Sequence, residues 1–439
     1  MTNRRLRVAA AGAAALLVSP HCAPPAYAVV PPAVDNAFLP PPVPAAPPQP
    51  TAQREACVVP PPVDGTDVSA TQLSGVDLTA IWRLSRGAGQ RVAVIDTGIA
   101  PHRRLSDVVA GGDYVSAGDG RQDCDGHGTV VAGIIAAVTD PADPTGFTGI
   151  APAVTLIAIR QSSNRFGPAA DQSGRGVGDV NTLAMAVRTA ADMGASVINI
   201  SSVACTEEMI DDRALGAALS YAVDVKDAVV VAAAGNVGGD GQCPSQNTAA
   251  QPRVIASPAW YDDYVVTVAS VDPAGAASSF SLNGPWVDVA ASGEHVVSLD
   301  PDGAGVIAAM PTGTGAASMS GTSYAAPLVS GLAALVRARF PRLRARQVMA
   351  RIETTAHHPP GGWNAAIGSG IVDPLAALSD QTALPSAPRP RPPATPVAAG
   401  PSPRPPYAIA GTGAALCLAG LIAAASVRLR RRTDDIAPD

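Results

Sequence analysis

Three short blocks of the sequence carry the residue types from which a nucleophilic catalytic site is built. Asp96 follows an apolar run, His127 stands between two glycines, and Ser323 opens a hydrophobic stretch. A serine hydroxyl becomes a nucleophile when a neutral histidine takes its proton, and a carboxylate fixes the tautomer of that histidine and stabilises its charged form. The sequence therefore predicts nucleophilic chemistry, provided that the fold brings these distant positions together.

A fourth block ends in Asn236, again directly after an apolar run. Together with the backbone N–H of Ser323, its carboxamide can donate to the oxygen that becomes negative when a serine attacks a carbonyl group. The helix that Ser323 is predicted to open adds free N–H groups and a favourable dipole. Taken singly, an aspartate after a strand is usually a turn residue and a serine at a helix start is usually an N-cap. Four such blocks in one order argue against that interpretation.

Short apolar runs alternate with longer amphipathic ones through the middle of the chain. Runs that are apolar throughout predict a sheet covered on both faces, and the alternation predicts that it is parallel. The predicted strands are residues 91–95, 155–159, 197–200, 229–234 and 265–269. The predicted helices are residues 129–136, 179–193, 211–226 and 323–339. Because the carboxyl ends of parallel strands meet at one edge, Asp96 and Asn236 should lie at the same edge.

The order Asp96, His127, Ser323, together with the flanking residues, resembles that of the subtilisin-like serine proteases. Chymotrypsin-like proteases have the order His, Asp, Ser, and α/β-hydrolases carry Gly-x-Ser-x-Gly where this chain has Gly-x-Ser-x-Ala. The resemblance spans residues 75–378 and implies an α/β, subtilisin-like three-layer fold with a mostly parallel central sheet. It also implies an endopeptidase in which these three residues are catalytic and Asn236 is the oxyanion donor.

The same resemblance implies where a peptide substrate would bind. In subtilisin-like proteases it adds as a strand between two edge segments, which here lie near residues 173–178 and 201–204. The expected substrate-binding residues are Gly174, Gly176, Ser201, Ser202, Val203, Ala234 and Gly235. Relatives often have glycines at the positions of Val203 and Ala204, so this chain should have a narrow pocket for the residue before the scissile bond (P1). We expect a preference for small or slender P1 residues.

The two ends of the chain predict its compartment. Residues 1–28 have a basic start, an apolar run and a final Ala-Tyr-Ala, which is typical of a cleaved signal peptide. An uncleaved anchor is the alternative, but the apolar run is too short to span a bilayer. Residues 407–427 carry no charge and at ~1.5 Å per residue are long enough for a membrane helix. The arginines that follow predict a cytoplasmic tail and a single-pass cell-membrane protein with an extracytoplasmic body.

Composition sets the remaining boundaries. We expect a signal peptide (1–28), a proline-rich N-terminal extension (29–72), a protease domain (73–380), a proline-rich linker (381–406), a transmembrane helix (407–427) and a tail (428–439). The extension shows no helix or strand pattern and should be extended and mobile. A formal charge of −6 gives no basic field for nucleic acid. We expect no metal and no other cofactor.

The chain has six cysteines, of which Cys22 lies in the predicted signal peptide and Cys417 in the predicted membrane helix. The other four would lie in an oxidising compartment, where three pairings are open. Two of them follow predicted strands at the same sheet edge, and we therefore expect the disulfides Cys205–Cys243 and Cys57–Cys124. The second would hold the extension near His127, and we expect the extension to remain attached rather than to act as a removable pro-domain.

This succession of segments resembles the mycosins, the membrane-anchored proteases of type VII secretion systems. The resemblance implies a membrane-embedded secretion complex as a partner, in addition to protein or peptide substrates. Two alternatives stay open at this point. In the first alternative, the chain is mainly a scaffold of that complex and its protease activity is incidental. In the second, it is a serine esterase, which the Asp–His–Ser order disfavours.

Overall fold

The structure, a computed structural model, describes residues 29–61, 71–171, 176–238, 243–248, 252–312 and 315–380, with the backbone of 26–27 and 397–398. One compact unit is Val29–Thr395, and the other comprises Met1–Ala28 and Pro396–Asp439. In the latter, Ala26–Tyr27 pairs antiparallel with Val397–Ala398. Apart from these four positions, the predicted signal peptide, linker, membrane helix and tail lie outside the described residues.

In the part of the chain that the structure describes, no helix is both long and apolar enough to cross a membrane. The helices of the larger unit are α1 (Leu78–Leu84), α2 (His127–Ala136), α3 (Val180–Asp192), α4 (Arg213–Ser220), α5 (Thr322–Arg339), α6 (Ala345–Thr355) and α7 (Pro374–Leu378). The strands are β1 (Thr51–Gln53), β2 (Arg91–Asp96), β3 (Val108–Asp113), β4 (Thr155–Arg160), β5 (Phe166–Pro168), β6 (Val197–Ile200), β7 (Ala204–Thr206), β8 (Val229–Ala233), β9 (Ile255–Ser257), β10 (Val266–Val271), β11 (Val289–Ser292), β12 (Ser298–Leu299), β13 (Val306–Ile307), β14 (Ala309–Thr312) and β15 (Gly315–Ser318).

A seven-stranded sheet with the order β11-β10-β8-β6-β2-β4-β3 forms the centre of this unit. All of its neighbouring strands run parallel. The apolar runs that predicted strands are buried almost throughout, as expected for a sheet covered on both faces. The predicted α/β class and mostly parallel sheet are therefore confirmed.

Two pairs of helices cover the sheet, α2 packed with α5 and α3 packed with α4. Since α2 begins at His127 and α5 begins at Thr322, the first turns of one packed pair carry two of the predicted site residues. The predicted helix 211–226 is shorter than expected, because it begins at Arg213 and continues as a π-helical turn over Tyr221–Val225. The side chain of Asp212 is buried and accepts hydrogen bonds from the region around β9, so it is not part of the helix.

The N-terminal extension was predicted to be extended and mobile, from a sequence without helix or strand periodicity, but the structure shows short regular elements in it. It contains a 3₁₀ turn at Asn36–Phe38 and the strand β1, which pairs antiparallel with β5. Next to β1, the Arg54 N–H donates to the carbonyl of Arg165 at 2.7 Å, and its guanidinium donates to the carbonyl of Pro168 at 2.6 Å. A strand of three residues that is held by such tertiary contacts leaves no periodic pattern in the sequence.

Candidate active site

Asp96 and His127 meet where β2 ends and α2 begins. Nδ1 of His127 lies 2.7 Å from Oδ1 of Asp96. The Asp96 side chain is buried, whereas 27% of the His127 side chain is exposed. A carboxylate at Nδ1 selects the tautomer that leaves Nε2 free to accept a proton. The close approach depends on Gly128, because a Cβ atom at this position would lie 2.0 Å from the carbonyl oxygen of Gly98.

A hydrogen-bond network around Asp123 fixes the turn that presents His127. The Asp123 carboxylate accepts from the Thr97 hydroxyl at 2.8 Å and from the Gly126 N–H at 2.7 Å. It also accepts from the N–H of Thr129 at 2.8 Å and from its hydroxyl at 2.7 Å. Burial raises the pKa of Asp123, although these hydrogen bonds oppose the shift. Sequence reasoning missed Asp123, because one of its partners, Thr97, lies 26 residues away in the sequence.

Three carboxylates act on the protonation of His127. Burial lowers the pKa of the imidazole, but the charge of Asp96 and the hydrogen bond to it raise that pKa. The more distant charges of Asp123 and Asp125 act in the same direction, and the net result is a pKa above the ordinary value of 6.5. The arrangement therefore stabilises the imidazolium that forms when this histidine accepts a proton.

Ser323 and Asn236 border a small space next to Gly321. Oδ1 of Asn236 accepts from the N–H of Thr322 at 2.9 Å and from its hydroxyl at 3.0 Å. The same hydroxyl accepts from the Gly235 N–H at 3.1 Å. Because the carboxamide oxygen is occupied, Nδ2 is the end left for a ligand. Oγ of Ser323 and Nδ2 of Asn236 lie 3.2 Å and 3.4 Å, respectively, from the point that a Cβ on Gly321 would occupy.

Tyr324 connects these two parts of the site. Its ring centroid lies 5.3 Å from that of His127, with 39° between the ring planes. Its Cδ2 atom lies 3.7 Å from the same Cβ position on Gly321. The first turns of α2 and α5 therefore meet through Tyr324, whose ring contacts His127 and also borders the Gly321 position next to Ser323 and Asn236.

Of the two expected substrate-binding segments, the first is described in part, because Gly174 lies outside the described residues. Val177 and Ser163 form an antiparallel bridge with N–H to O distances of 2.9 and 3.0 Å. A Cβ on Gly176 would lie 2.6 Å from the Ser163 carbonyl oxygen, so only glycine fits there. The hydroxyl of Ser163 also donates to Asp125, which links this segment to the loop that precedes His127.

The second segment faces the end of β8, as expected. Gly235 has a φ of +103°, and a Cβ atom there would lie 3.4 Å from Cγ2 of Val203. The same position would lie 2.9 Å from Sγ of Cys243 and 3.3 Å from Sγ of Cys205. The side chain of Val203 and a disulfide therefore pack closely against the Gly235 backbone. Of the residues that precede Val203, Ser201 is buried and Ser202 is half-buried. Ala234, which precedes Gly235, is buried.

Both expected disulfides, Cys205–Cys243 and Cys57–Cys124, are present. The second joins the extension to the loop that carries Asp123 and Asp125. The carboxylates of this loop do not form a metal site with their neighbours. Among the residues that the structure describes, no group of three or more His, Cys, Asp or Glu side chains is arranged to hold a metal ion.

Comparisons with known proteins agree with this geometry. The model of the Subtilase family matches residues 87–370. Mycosin-4 of Mycobacterium tuberculosis is 56% identical over 100% of both chains. The chain belongs to the mycosins, within the subtilase family. As a subtilase, it is a serine protease.

Solved structures of other mycosins have the same fold. The MycP3 protease from the type VII (ESX-3) secretion system is 46% identical, with a TM-score of 0.74 over 80% of this chain and 100% of that one. A chain of an intact ESX-5 inner membrane complex is 40% identical, with a TM-score of 0.75 over 92% of this chain and 100% of that one. The solved MycP3 chain is covered in full, so this chain contains every part of the fold that is seen there.

Proposed function

We propose that this mycosin hydrolyses peptide bonds with Ser323 as the nucleophile, His127 as the general base and Asp96 as the residue that orients the histidine. Oγ of Ser323 attacks the scissile carbonyl carbon as Nε2 of His127 takes its proton, and His127 then protonates the leaving amine. Water releases the resulting acyl-enzyme by the same steps. The observation that carries the proposal is the 2.7 Å contact between Asp96 and His127, whose ring packs against Tyr324, the residue after Ser323 at the start of α5.

Asn236 is the oxyanion donor in this proposal. Its Nδ2 atom is the free end of a carboxamide whose oxygen is held twice by Thr322. A donor that is fixed before the reaction stabilises the negative oxygen of the transition state without having to reorganise. The backbone N–H of Ser323, in the first turn of α5, is the second donor.

The substrate is a protein or peptide bound as a strand between residues 173–178 and 201–204. Val203, which packs against Gly235, narrows the P1 pocket and favours small P1 residues. Substitution Val203→Gly should increase kcat/KM for P1 Phe peptides about tenfold relative to P1 Ala peptides. Equal turnover of both peptides by the unmodified protein would contradict the proposed narrow pocket.

The first test is cleavage of a peptide library by the fragment Val29–Thr395, beside its Ser323→Ala variant. The compact unit contains the whole sheet and all the proposed catalytic residues. We expect cleavage by the fragment and none by the variant. Turnover of ester but not of peptide substrates would favour the esterase alternative, and equal cleavage by both proteins would refute the role of Ser323.

The partner that we propose is the membrane complex of a type VII secretion system. The support is the similarity to a chain solved within an ESX-5 inner membrane complex. Residues 407–427 would anchor the chain as a single-pass protein, with the protease domain outside the cytoplasm. Co-purification of the tagged full-length chain with that complex, and its loss on removal of residues 407–439, would be the expected result. Recovery of the full-length chain alone, in the soluble fraction, would contradict it.

A structural role in that complex is the second candidate function, because the ESX-5 structure contains such a chain as a component. The full-length Ser323→Ala protein separates the two functions. Secretion that persists with Ser323→Ala but stops when the gene is deleted would show that the chain stabilises the complex. Secretion that stops in both cases would show that proteolysis is required.

A further inference from the structure

Tyr324 lies inside the site but has no part in the chemistry described above. It follows Ser323 directly in the first turn of α5, and only 8% of the residue is exposed. Helical side chains lean towards the N-terminus of their helix, so its ring lies over the turn that contains Gly321. This places a large ring beside the space shared by Ser323 and Asn236, with Cδ2 3.7 Å from the Cβ position on Gly321.

The same ring packs against the imidazole of His127, with 5.3 Å between the ring centroids. The hydrogen bond from Nδ1 to Asp96 fixes one atom of the imidazole but does not by itself fix the tilt of its plane. The imidazole is also 27% exposed, so part of its surface has no protein neighbour. The ring of Tyr324 supplies a second restraint on the imidazole, by packing rather than by a hydrogen bond.

We propose that Tyr324 is a positioning residue whose ring restrains the orientation of the His127 imidazole. In this orientation Nε2 can exchange a proton with Ser323 and with the leaving amine. The inference rests on the proposed protease function of the site.

Two substitutions separate the ring from its hydroxyl. Tyr324→Phe keeps the ring and should change kcat by no more than about twofold, whereas Tyr324→Ala should lower kcat about 10- to 100-fold with little change in KM. Retention of kcat by Tyr324→Ala, or an equal loss in Tyr324→Phe, would overturn the proposal.

A matched control variant distinguishes the proposed effect of Tyr324→Ala from a general effect of removing a buried ring. Tyr114 is 2% exposed and hydrogen-bonded to Thr189, and it lies outside the proposed catalytic machinery. Substitution Tyr114→Ala also removes a buried tyrosine ring, but it should leave the kcat of the folded protein unchanged. A loss of kcat in Tyr114→Ala as large as that in Tyr324→Ala would show that removal of any buried ring has this effect, and the proposal would fail.

An NMR measurement decides the question even if the fragment cleaves no peptide, in which case the proposed function fails separately. With ¹⁵N-labelled histidine in the fragment Val29–Thr395, the His127 Nδ1–H proton should exchange slowly with water and should exchange several-fold faster in Tyr324→Ala. Tyr324→Phe should retain the slow exchange. Equal exchange rates in the unmodified fragment and in Tyr324→Ala would show that the ring does not restrain the imidazole.

Discussion

The part of the site around His127 is held by carboxylates, whereas the part around Ser323 is held by neutral amides and hydroxyls. Asp96 contacts the imidazole directly, and Asp123 and Asp125 add negative charge nearby. Beside Ser323, by contrast, Asn236 is fixed by the backbone and hydroxyl of Thr322. Each choice suits the charge that would develop in the proposed mechanism, in which the histidine becomes positive and the substrate oxygen becomes negative.

This difference predicts how the two parts should respond to substitution. Changes around His127 should alter both the rate and its pH dependence, since they act on a group that titrates. Changes around Ser323 should alter the rate alone, because the amides and hydroxyls there do not titrate near neutral pH. The reference for both kinds of variant is the unmodified protein. It should lose activity as the pH falls through the pKa of His127, which lies above 6.5.

The largest effect is expected for Asp96→Asn, which preserves the shape of the side chain but removes its charge. An amide that donates to Nδ1 selects the tautomer in which Nε2 carries the proton and cannot act as a base. We expect kcat to fall about 10⁴-fold. Steady-state kinetics on the best library peptide would measure this. A loss below tenfold would mean that Asp96 does not orient the histidine.

Asn236→Ala should come next, with a loss in kcat of about 10²–10³-fold and little change in KM. This is the range known for the oxyanion-hole asparagine of subtilisin, a member of the same family. The pH at half-maximal kcat/KM should stay where it is in the unmodified protein. A displaced pH profile would show that the two parts of the site are electrostatically coupled, contrary to the comparison.

Thr322→Val should have a smaller effect, because it leaves Asn236 in place but removes the hydroxyl that holds its oxygen. We expect kcat to fall about tenfold, since a mobile carboxamide donates less well to the oxyanion. Thr322→Ser restores a hydroxyl and should recover most of the rate. If the serine variant were as slow as the valine variant, a hydroxyl at this position would not be sufficient to hold Asn236, and the assigned role of the Thr322 hydroxyl would be contradicted.

The smallest effect on rate is expected for Asp123→Asn, about a few-fold near neutral pH. Because the charge of Asp123 raises the pKa of His127, its removal lowers that pKa, and the acid side of the kcat/KM profile should move to lower pH. A full pH–rate profile beside the unmodified protein tests this. A shift towards higher pH would contradict the assigned direction.

Much of the fold could be predicted because it depends on local pattern. The strands that lead to Asp96 and to Asn236 are almost wholly apolar, and the helices after them follow from their own sequences. The contributions of Asp123, Thr322 and Tyr324 could not be predicted, because each depends on a partner that is distant in the sequence. Asp123 is bonded to Thr97, and the ring of Tyr324 contacts His127.

The N-terminal extension shows the same limit more clearly. Its proline-rich composition describes the chain in isolation and so predicts an extended, mobile segment. In the folded protein, the hydrogen bonds of β1 go to β5, and Cys57 is joined to a cysteine 67 residues further along the chain. Neither the three residues of β1 nor the spacing of the prolines contains information about these partners.

The attachment of the extension also has a consequence for the order of assembly. The chain is synthesised from its N-terminus, yet the backbone partners of β1 are residues 166–168 and the disulfide partner of Cys57 is Cys124. The first segment of the larger unit to be made therefore waits for segments made much later before it can be secured. Those partners are complete at residue 168, before β6, β8, β10 and β11 have been made, so the extension can be secured while more than half of the central sheet is still missing.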